Sequence, residues 1–358
     1  MHEYSEREFE SAKKSIISDY YRNIKQQELP YAAILGGQPG AGKTALHELI
    51  ENKCNSKVAI INGDEYRKYH PNFNKLQSIY GDESVKYTQK FAGEMTEALI
   101  NELSNKKYNI VVEGTLRTAD VPLKTCDLLK SKGYEVELIV MAVKPDISYQ
   151  STIKRYEELI KKGDIARATP RDHHDGVVQA IPQNLSEIYM SKRFNNILIY
   201  NRDKECLYNQ SNMPGKDPGE KMKELFSNWN EKEKNEIYEI INQNLQMKKE
   251  RNAVDYIEYT EKVIQIPVYM DKRLVDIKHD VIKSGFKPTK SLITNLESIN
   301  NHFGKVHKVF EIKEMYKNKS EFTKDEQDMI LGTVDEFKKQ ERQMRQEESL
   351  EPEIFKRQ

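Results

Sequence analysis

The sequence predicts an α/β fold: a mainly parallel five-stranded sheet covered by helices, followed by a helical C-terminal extension. Three observations carry this expectation. Five short, nearly unbroken apolar runs recur within the first 203 residues, stretches with helical spacing separate them, and the composition turns polar beyond residue 220. Strands that are apolar on both faces and alternate with helices belong to parallel sheets buried on each side.

The runs are "AAILGG" (32–37), "VAIING" (58–63), "NIVVEG" (109–114), "EVELIVMAV" (135–143) and "NILIYN" (196–201). Between the second and third, "FAGEMTEALINEL" (91–103) places Phe91, Met95, Ala98, Leu99 and Leu103 on one helical stripe. Ligands of such sheets bind beyond the carboxyl ends of the strands, so the polar residues just past each run are the ones that matter.

The stretch "YNQSNMPGKDPGE" (208–220) interrupts the pattern with two turn signals. The expected organisation is therefore a first domain over 1–205, a linker over 206–220 and a polar helical region over 221–358. In the last, Leu292, Leu296, Ile299 and Phe303 keep helical spacing before Gly304. Thr323 with Glu326 forms a capping-box signature ahead of Ile330, Val334 and Phe337. The final "KKQERQMRQEESLEPEIFKRQ" reads as a solvated helix with a fraying end.

Composition excludes several classes. Of 358 residues, 57 are Lys or Arg and 57 Asp or Glu, so the formal net charge is zero, without the basic excess of a general nucleic-acid binder. Mean hydropathy is −0.81, and no stretch approaches the roughly 18 apolar residues of a membrane helix. The N-terminal "MHEYSEREFESAKKSIISDYY" has no apolar signal core. Cys54, Cys126 and Cys206 are odd in number and form no CxxC pair, as expected of reduced thiols in a cytoplasmic protein.

Gly37-Gln38-Pro39-Gly40-Ala41-Gly42-Lys43-Thr44 fits GxxxxGK[ST] between an apolar run and a helical stretch. The glycines let successive backbone N–H groups turn inward around phosphate oxygens, and the following helix adds its positive end. Lys43 reaches the β- and γ-phosphates in such a loop, and the Thr44 hydroxyl binds Mg²⁺. The loop predicts a P-loop fold that binds a nucleoside triphosphate.

Asp64 follows the second run, whose neighbouring strand opens the phosphate loop. It either caps the next helix or, near the γ-phosphate, orients an acceptor hydroxyl and takes its proton. Glu113 closes the third run and either supports Mg²⁺ through water or contacts the acceptor. Arg117 is a surface ion-pair partner or a bidentate fork for a phosphate or diphosphate. Arg155 and Arg167 lie between the fourth and fifth runs, where a lid over the nucleotide would place them to neutralise the transferring phosphoryl group. The adjacent His173 and His174 lack metal-ligand spacing.

The segments "GGQPGAGKT", "GDEYRKYHPNF", "MTEALI", "VVEGTLRTADVP", "YEVELIVMAV", "TIKRYEE" and "ARATPRDHHDGVV" occur in the order and spacing of zeta toxins. The resemblance covers about residues 5 to 205. It implies a P-loop kinase that uses ATP or GTP with Mg²⁺ to phosphorylate the sugar 3′-hydroxyl of UDP-N-acetylglucosamine, blocking peptidoglycan synthesis, and a small helical antitoxin as partner.

Residue by residue, Lys43 and Thr44 resemble the nucleotide and Mg²⁺ ligands, Asp64 the base, and Arg155 and Arg167 the arginines at the triphosphate. Glu97, Glu113, Thr115 and Arg117 match positions that hold the sugar nucleotide. Glu97 alone has no such role from its own pattern, which describes an exposed helix residue. Gly63 directly before the aspartate departs from the family pattern, and residues 220–358 extend past it. That region is either an interaction or oligomerisation module, binding another protein, or an inhibitor that covers the kinase domain itself. Two other functions remain open: a kinase of another sugar nucleotide or small hydroxyl compound, and a non-catalytic ATP-binding module.

Overall fold

The computed structural model describes residues 3–263 and 265–269. The chain divides into two compact units, the first ending at Trp229 and the second beginning at Asn230.

In the first unit, α1 (Glu6–Asn23) opens on a capping box: Ser5 Oγ accepts from the Glu8 N–H, and the Glu8 carboxylate accepts from the Ser5 N–H. Then follow β1 (Tyr31–Gly36), α2 (Ala45–Cys54), β2 (Ala59–Ile61), α3 (Gly63–Tyr66), α4 (Phe73–Tyr80), α5 (Ser84–Asn105), β3 (Ile110–Glu113), α6 (Asp120–Ser131) and β4 (Glu135–Met141). After these come α7 (Pro145–Lys162), α8 (Arg171–Ser191), β5 (Asn196–Tyr200), β6 (Cys206–Asn209) and α9 (Pro218–Ser227).

The sheet order is β2-β3-β1-β4-β5-β6. The first five strands pair in parallel, as the sequence predicts. β1 is central and buried along its whole length, which is why its run is apolar without alternation. The predicted stripe on α5 is real: Phe91, Met95, Leu99 and Leu103 are buried in the core between helix and sheet. Each such side chain contributes about 1.5–3 kcal/mol through burial.

Two expectations are corrected. The sheet has six strands, because β6 adds to β5 in antiparallel fashion. The stretch 206–220 is accordingly no linker. Tyr208 on β6 is buried and its hydroxyl donates to the Lys216 carbonyl at 2.7 Å. Asp217 caps α9 through the Gly219 N–H, and α9 packs on α8 so closely that a Cβ at Gly219 would lie 2.1 Å from the Pro182 carbonyl oxygen. The buried Lys144 ammonium donates to the carbonyls of Leu225 and Asn228, holding the end of α9 in place. Turn residues mark a change of direction, not the end of a folded body.

In the second unit, α10 (Glu231–Glu250) begins with a capping box of Asn230 and Glu233 and buries Ile237, Ile240 and Ile241; α11 (Tyr256–Val263) follows. Lys248 pairs with Asp255 at 2.6 Å. The helical patterns around Leu292–Phe303 and Thr323–Phe337 lie outside the described residues. Among the described residues no helix is long and apolar enough to cross a membrane.

Candidate active site

The phosphate-binding loop joins β1 to α2. Gly40 has φ +76°, and a Cβ there would lie 2.0 Å from the Ser148 carbonyl oxygen and 2.8 Å from the Thr152 methyl. Only glycine allows α7 to come this close beneath the loop. Lys43 turns back across the loop, its Nζ donating to the Gly37 carbonyl at 2.8 Å. Burial holds its ammonium below the usual lysine range, against the raising charges of Glu113 and Asp64 and with the lowering charge of Arg155. Thr44 is the N-cap of α2, yet its hydroxyl makes no capping bond. Pro39 is half-buried at the turn, and Ala41 is buried.

Gln38 contributes to the loop through its backbone. Its side chain is fully buried and points into the protein, where Nε2 donates to the Val143 carbonyl at 2.7 Å and to Ser148 Oγ at 3.1 Å. Only its backbone remains with the loop, where the Gln38 carbonyl accepts from the Ala41 N–H.

Asp64 sits in the first turn of α3, with its N–H donating to the side-chain oxygen of the N-cap Asn62 at 3.0 Å. The capping alternative therefore falls to Asn62, and the Asp64 carboxylate is left at the sheet's carboxyl edge. Arg67 Nε donates to Asp64 Oδ1 at 2.9 Å. Asp64 is exposed, and although partial desolvation opposes its ionisation, the Arg67 bond and charge, joined by the charges of Arg167 and Arg155, prevail and hold the carboxyl below its ordinary value. Arg155 is exposed on α7; Arg167 is half-buried on the segment preceding α8.

Glu113 ends β3 with both oxygens engaged. His47 Nε2 lies 2.6 Å from Oε1, and Asn62 Nδ2 donates to Oε2 at 3.3 Å. Beyond it, Leu116 has φ +57° and drives its side chain against the bare backbone of Gly36, where a Cβ would lie 2.2 Å from Leu116 Cδ1. Thr115 and Arg117 flank this plug, half-buried and exposed respectively. Arg117 forms no ion pair among the described residues. Glu97 is exposed on α5, one residue past Thr96, whose hydroxyl oxygen lies 3.0 Å from where a Cβ of Gly63 would stand. That close approach gives the glycine before Asp64 a reason: it lets α5 pack against the start of α3.

The structure thus gathers Lys43, Asp64, Glu113, Arg155 and Arg167 into one field of interacting charges. Four contributors escape sequence reasoning: His47, Asn62, Arg67 and Arg202. Arg202, just past β5, donates from Nε to the Ala41 carbonyl at 3.1 Å, and from Nη2 to the Gly40 carbonyl and to Ser151 Oγ at 3.0 Å. Of these, Asn62 and Arg202 carry the signal used for the others, a polar residue at the end of an apolar run. Mg²⁺ prefers hard oxygen ligands and takes few from protein beside phosphate and water, and the exposed Thr44 hydroxyl, which makes no capping bond, is an oxygen of that kind. Thr44 and, through water, Glu113 are suited to this role.

Fold and site together define a P-loop phosphotransferase. The sequence profile of the family described as Zeta toxin matches residues 16–213. Toxin PezT of Streptococcus pneumoniae is 42% identical over 233 residues, covering 65% of this chain and 92% of that protein. Toxin zeta of Streptococcus pyogenes is 36% identical over 262 residues, covering 73% and 91%. A solved structure from the PezAT chromosomal toxin–antitoxin system of S. pneumoniae superposes with a TM-score of 0.63 at 37% identity, covering 69% of this chain and 98% of that one. The chain belongs to the zeta toxin family. A match of 262 residues is longer than the first 220, so the likeness continues past the point where the sequence motifs stop.

Proposed function

We propose that the protein transfers the γ-phosphoryl group of ATP or GTP to the sugar 3′-hydroxyl of UDP-N-acetylglucosamine. The single observation that carries this reading is the Asp64 carboxylate, kept ionised beside Arg67 and within the same charge field as the loop lysine and two arginines. A nucleotide-binding module without chemistry has no use for a base so placed.

In this mechanism the loop backbone and Lys43 hold the β- and γ-phosphates. Glu97, Thr115 and Arg117 orient the sugar nucleotide, with the exposed Arg117 offering its fork to the diphosphate. Asp64 accepts the hydroxyl proton as the acceptor oxygen bonds to the γ-phosphorus and the bond to the β,γ-bridging oxygen breaks, releasing the nucleoside diphosphate. An ordinary or lowered carboxyl suffices, because the proton leaves late in a loose transition state. Arg155 and Arg167 neutralise charge on the phosphoryl oxygens. Thr44 would hold Mg²⁺, which would supply further charge neutralisation at the phosphates. A small helical antitoxin as partner and a cytoplasmic site of action belong to the same reading, supported by likeness to a toxin of a named toxin–antitoxin system.

The test is phosphate transfer from Mg-ATP to UDP-N-acetylglucosamine by the full chain and by Asp64→Ala, with ATP binding measured in both. Product from wild type, lost by about 10²–10⁴-fold in the variant while ATP binding persists, supports the reading. Wild type that binds ATP and yields no product would sink the acceptor assignment.

A further inference from the structure

We propose that His174 is a positioning residue that ties the phosphate-binding loop to the segment bearing Arg167, acting through Ser148 and Gln38. The proposal rests on the reading of Arg167 as a triphosphate ligand.

His174 is fully buried in the first turns of α8, and nothing in the transfer step uses it. Its Nδ1 lies 2.9 Å from Asp175 Oδ1, and its Nε2 lies 2.9 Å from Ser148 Oγ on α7. A carboxylate can only accept, so Nδ1 carries the proton, and neutral imidazole presents a lone pair at Nε2. Ser148 Oγ lies 2.9 Å from both His174 Nε2 and the Pro145 carbonyl oxygen, so its single proton is shared between these two acceptors. The same hydroxyl oxygen accepts from Gln38 Nε2 at 3.1 Å, and the second amide proton of Gln38 goes to the Val143 carbonyl at 2.7 Å. One chain of hydrogen bonds thus runs from the second residue of the phosphate loop, through α7, to the start of α8.

The far end of that chain is held firmly. Arg171 Nε donates to Asp175 Oδ2 at 2.7 Å and Nη2 lies 3.7 Å from Asp146 Oδ1. The Arg171 guanidinium also stacks 4.4 Å from the Tyr149 ring centroid, and that ring meets His174 edge-on at 5.3 Å. Burial keeps His174 below the usual histidine range despite the raising contact with Asp175, in keeping with the neutral tautomer. Seating His174 fixes the origin of α8, and with it the seven-residue run from Arg167 to His173 that leads into it. Seating Gln38 fixes the loop at the point where Lys43 folds over.

The full chain and its His174→Gln, His174→Asn, Ser148→Ala, Gln38→Ala and Arg167→Ala variants are titrated with Mg-ATP by calorimetry, with melting temperature recorded for each. A glutamine oxygen reaches the place of Nε2 and keeps the Ser148 bond, so His174→Gln retains affinity within about threefold. Asparagine reaches only Asp175, so His174→Asn and Ser148→Ala each weaken binding by about tenfold. Combining His174→Asn with Gln38→Ala or with Arg167→Ala costs less than the product of the single losses, because the residues act as one unit. The proposal is overturned if Gln and Asn weaken binding equally and in step with melting temperature, or if the losses multiply. Should His174→Asn fail to fold, Ser148→Ala with Arg167→Ala runs the same cycle. The readout is nucleotide affinity, so absence of product with UDP-N-acetylglucosamine defeats the acceptor reading and leaves this one standing, whereas a wild-type chain with no Mg-ATP affinity overturns both.

Discussion

His47 Nε2 stands 2.6 Å from Glu113 Oε1, joining the first turn of α2 to the end of β3 across 66 residues of sequence. Both side chains are largely buried, and Asn62 occupies the other carboxylate oxygen while accepting from the Asp64 N–H. A single path of polar contacts therefore connects the helix after the phosphate loop, the acidic strand end and the candidate base. Replacing His47 by Ala removes a donor from a buried carboxylate, which costs about 1–3 kcal/mol of stability. The Mg²⁺ concentration for half-maximal activity is expected to rise roughly tenfold, since the group that orients Glu113 is lost. A Mg²⁺ titration of the rate at saturating nucleotide checks this.

With Asp64 as the proposed base, its pairing with Arg67 is expected to set the acid side of the pH profile. A carboxyl held below its ordinary value is in its base form above that lowered value, and activity falls only as pH drops through it. Wild type is therefore expected to keep kcat/KM constant down to below about pH 4, the ordinary aspartate value. In Arg67→Gln the lowering bond and charge are gone, so the acid limb moves upward. A profile of kcat/KM against pH that does not move would contradict this.

Gly40 tolerates no side chain. Alanine there combines a left-handed backbone with a Cβ 2.0 Å from the Ser148 carbonyl oxygen. Gly40→Ala is expected to lose more than about 2 kcal/mol of stability, read as a lower urea midpoint, with nucleotide binding abolished.

Arg202 braces the loop by holding the Gly40 and Ala41 carbonyls. Arg202→Ala is expected to raise the KM for Mg-ATP about tenfold and to change kcat far less. Initial rates over a range of nucleotide concentrations separate the two parameters.

Much of this protein is legible in local pattern. The five parallel strands, the buried α5 stripe and the loop from Gly37 to Thr44 follow from apolar runs, helical spacing and turn chemistry. Each of these signals acts over a few residues, and each is expressed wherever the backbone can form the corresponding element. Asp64 and Glu113 are also readable, because a strand's carboxyl end is recognisable and ligands gather there.

What the sequence determined by itself is therefore the set of elements, the phosphate loop and the charged residues carried at the strand ends. Tertiary structure alone decided the distant partners: His47 and Asn62 for Glu113, Arg202 for the loop carbonyls, and Ser148 for both Gln38 and His174. It also turned the Gln38 side chain away from the loop and recruited residues 206–209 as a sixth strand. The physical reason is common to all of them. Hydrogen-bond partners are chosen by which strand ends and helix starts the sheet order 2-3-1-4-5-6 brings together, and that order is a long-range packing outcome with no periodic signature in the chain.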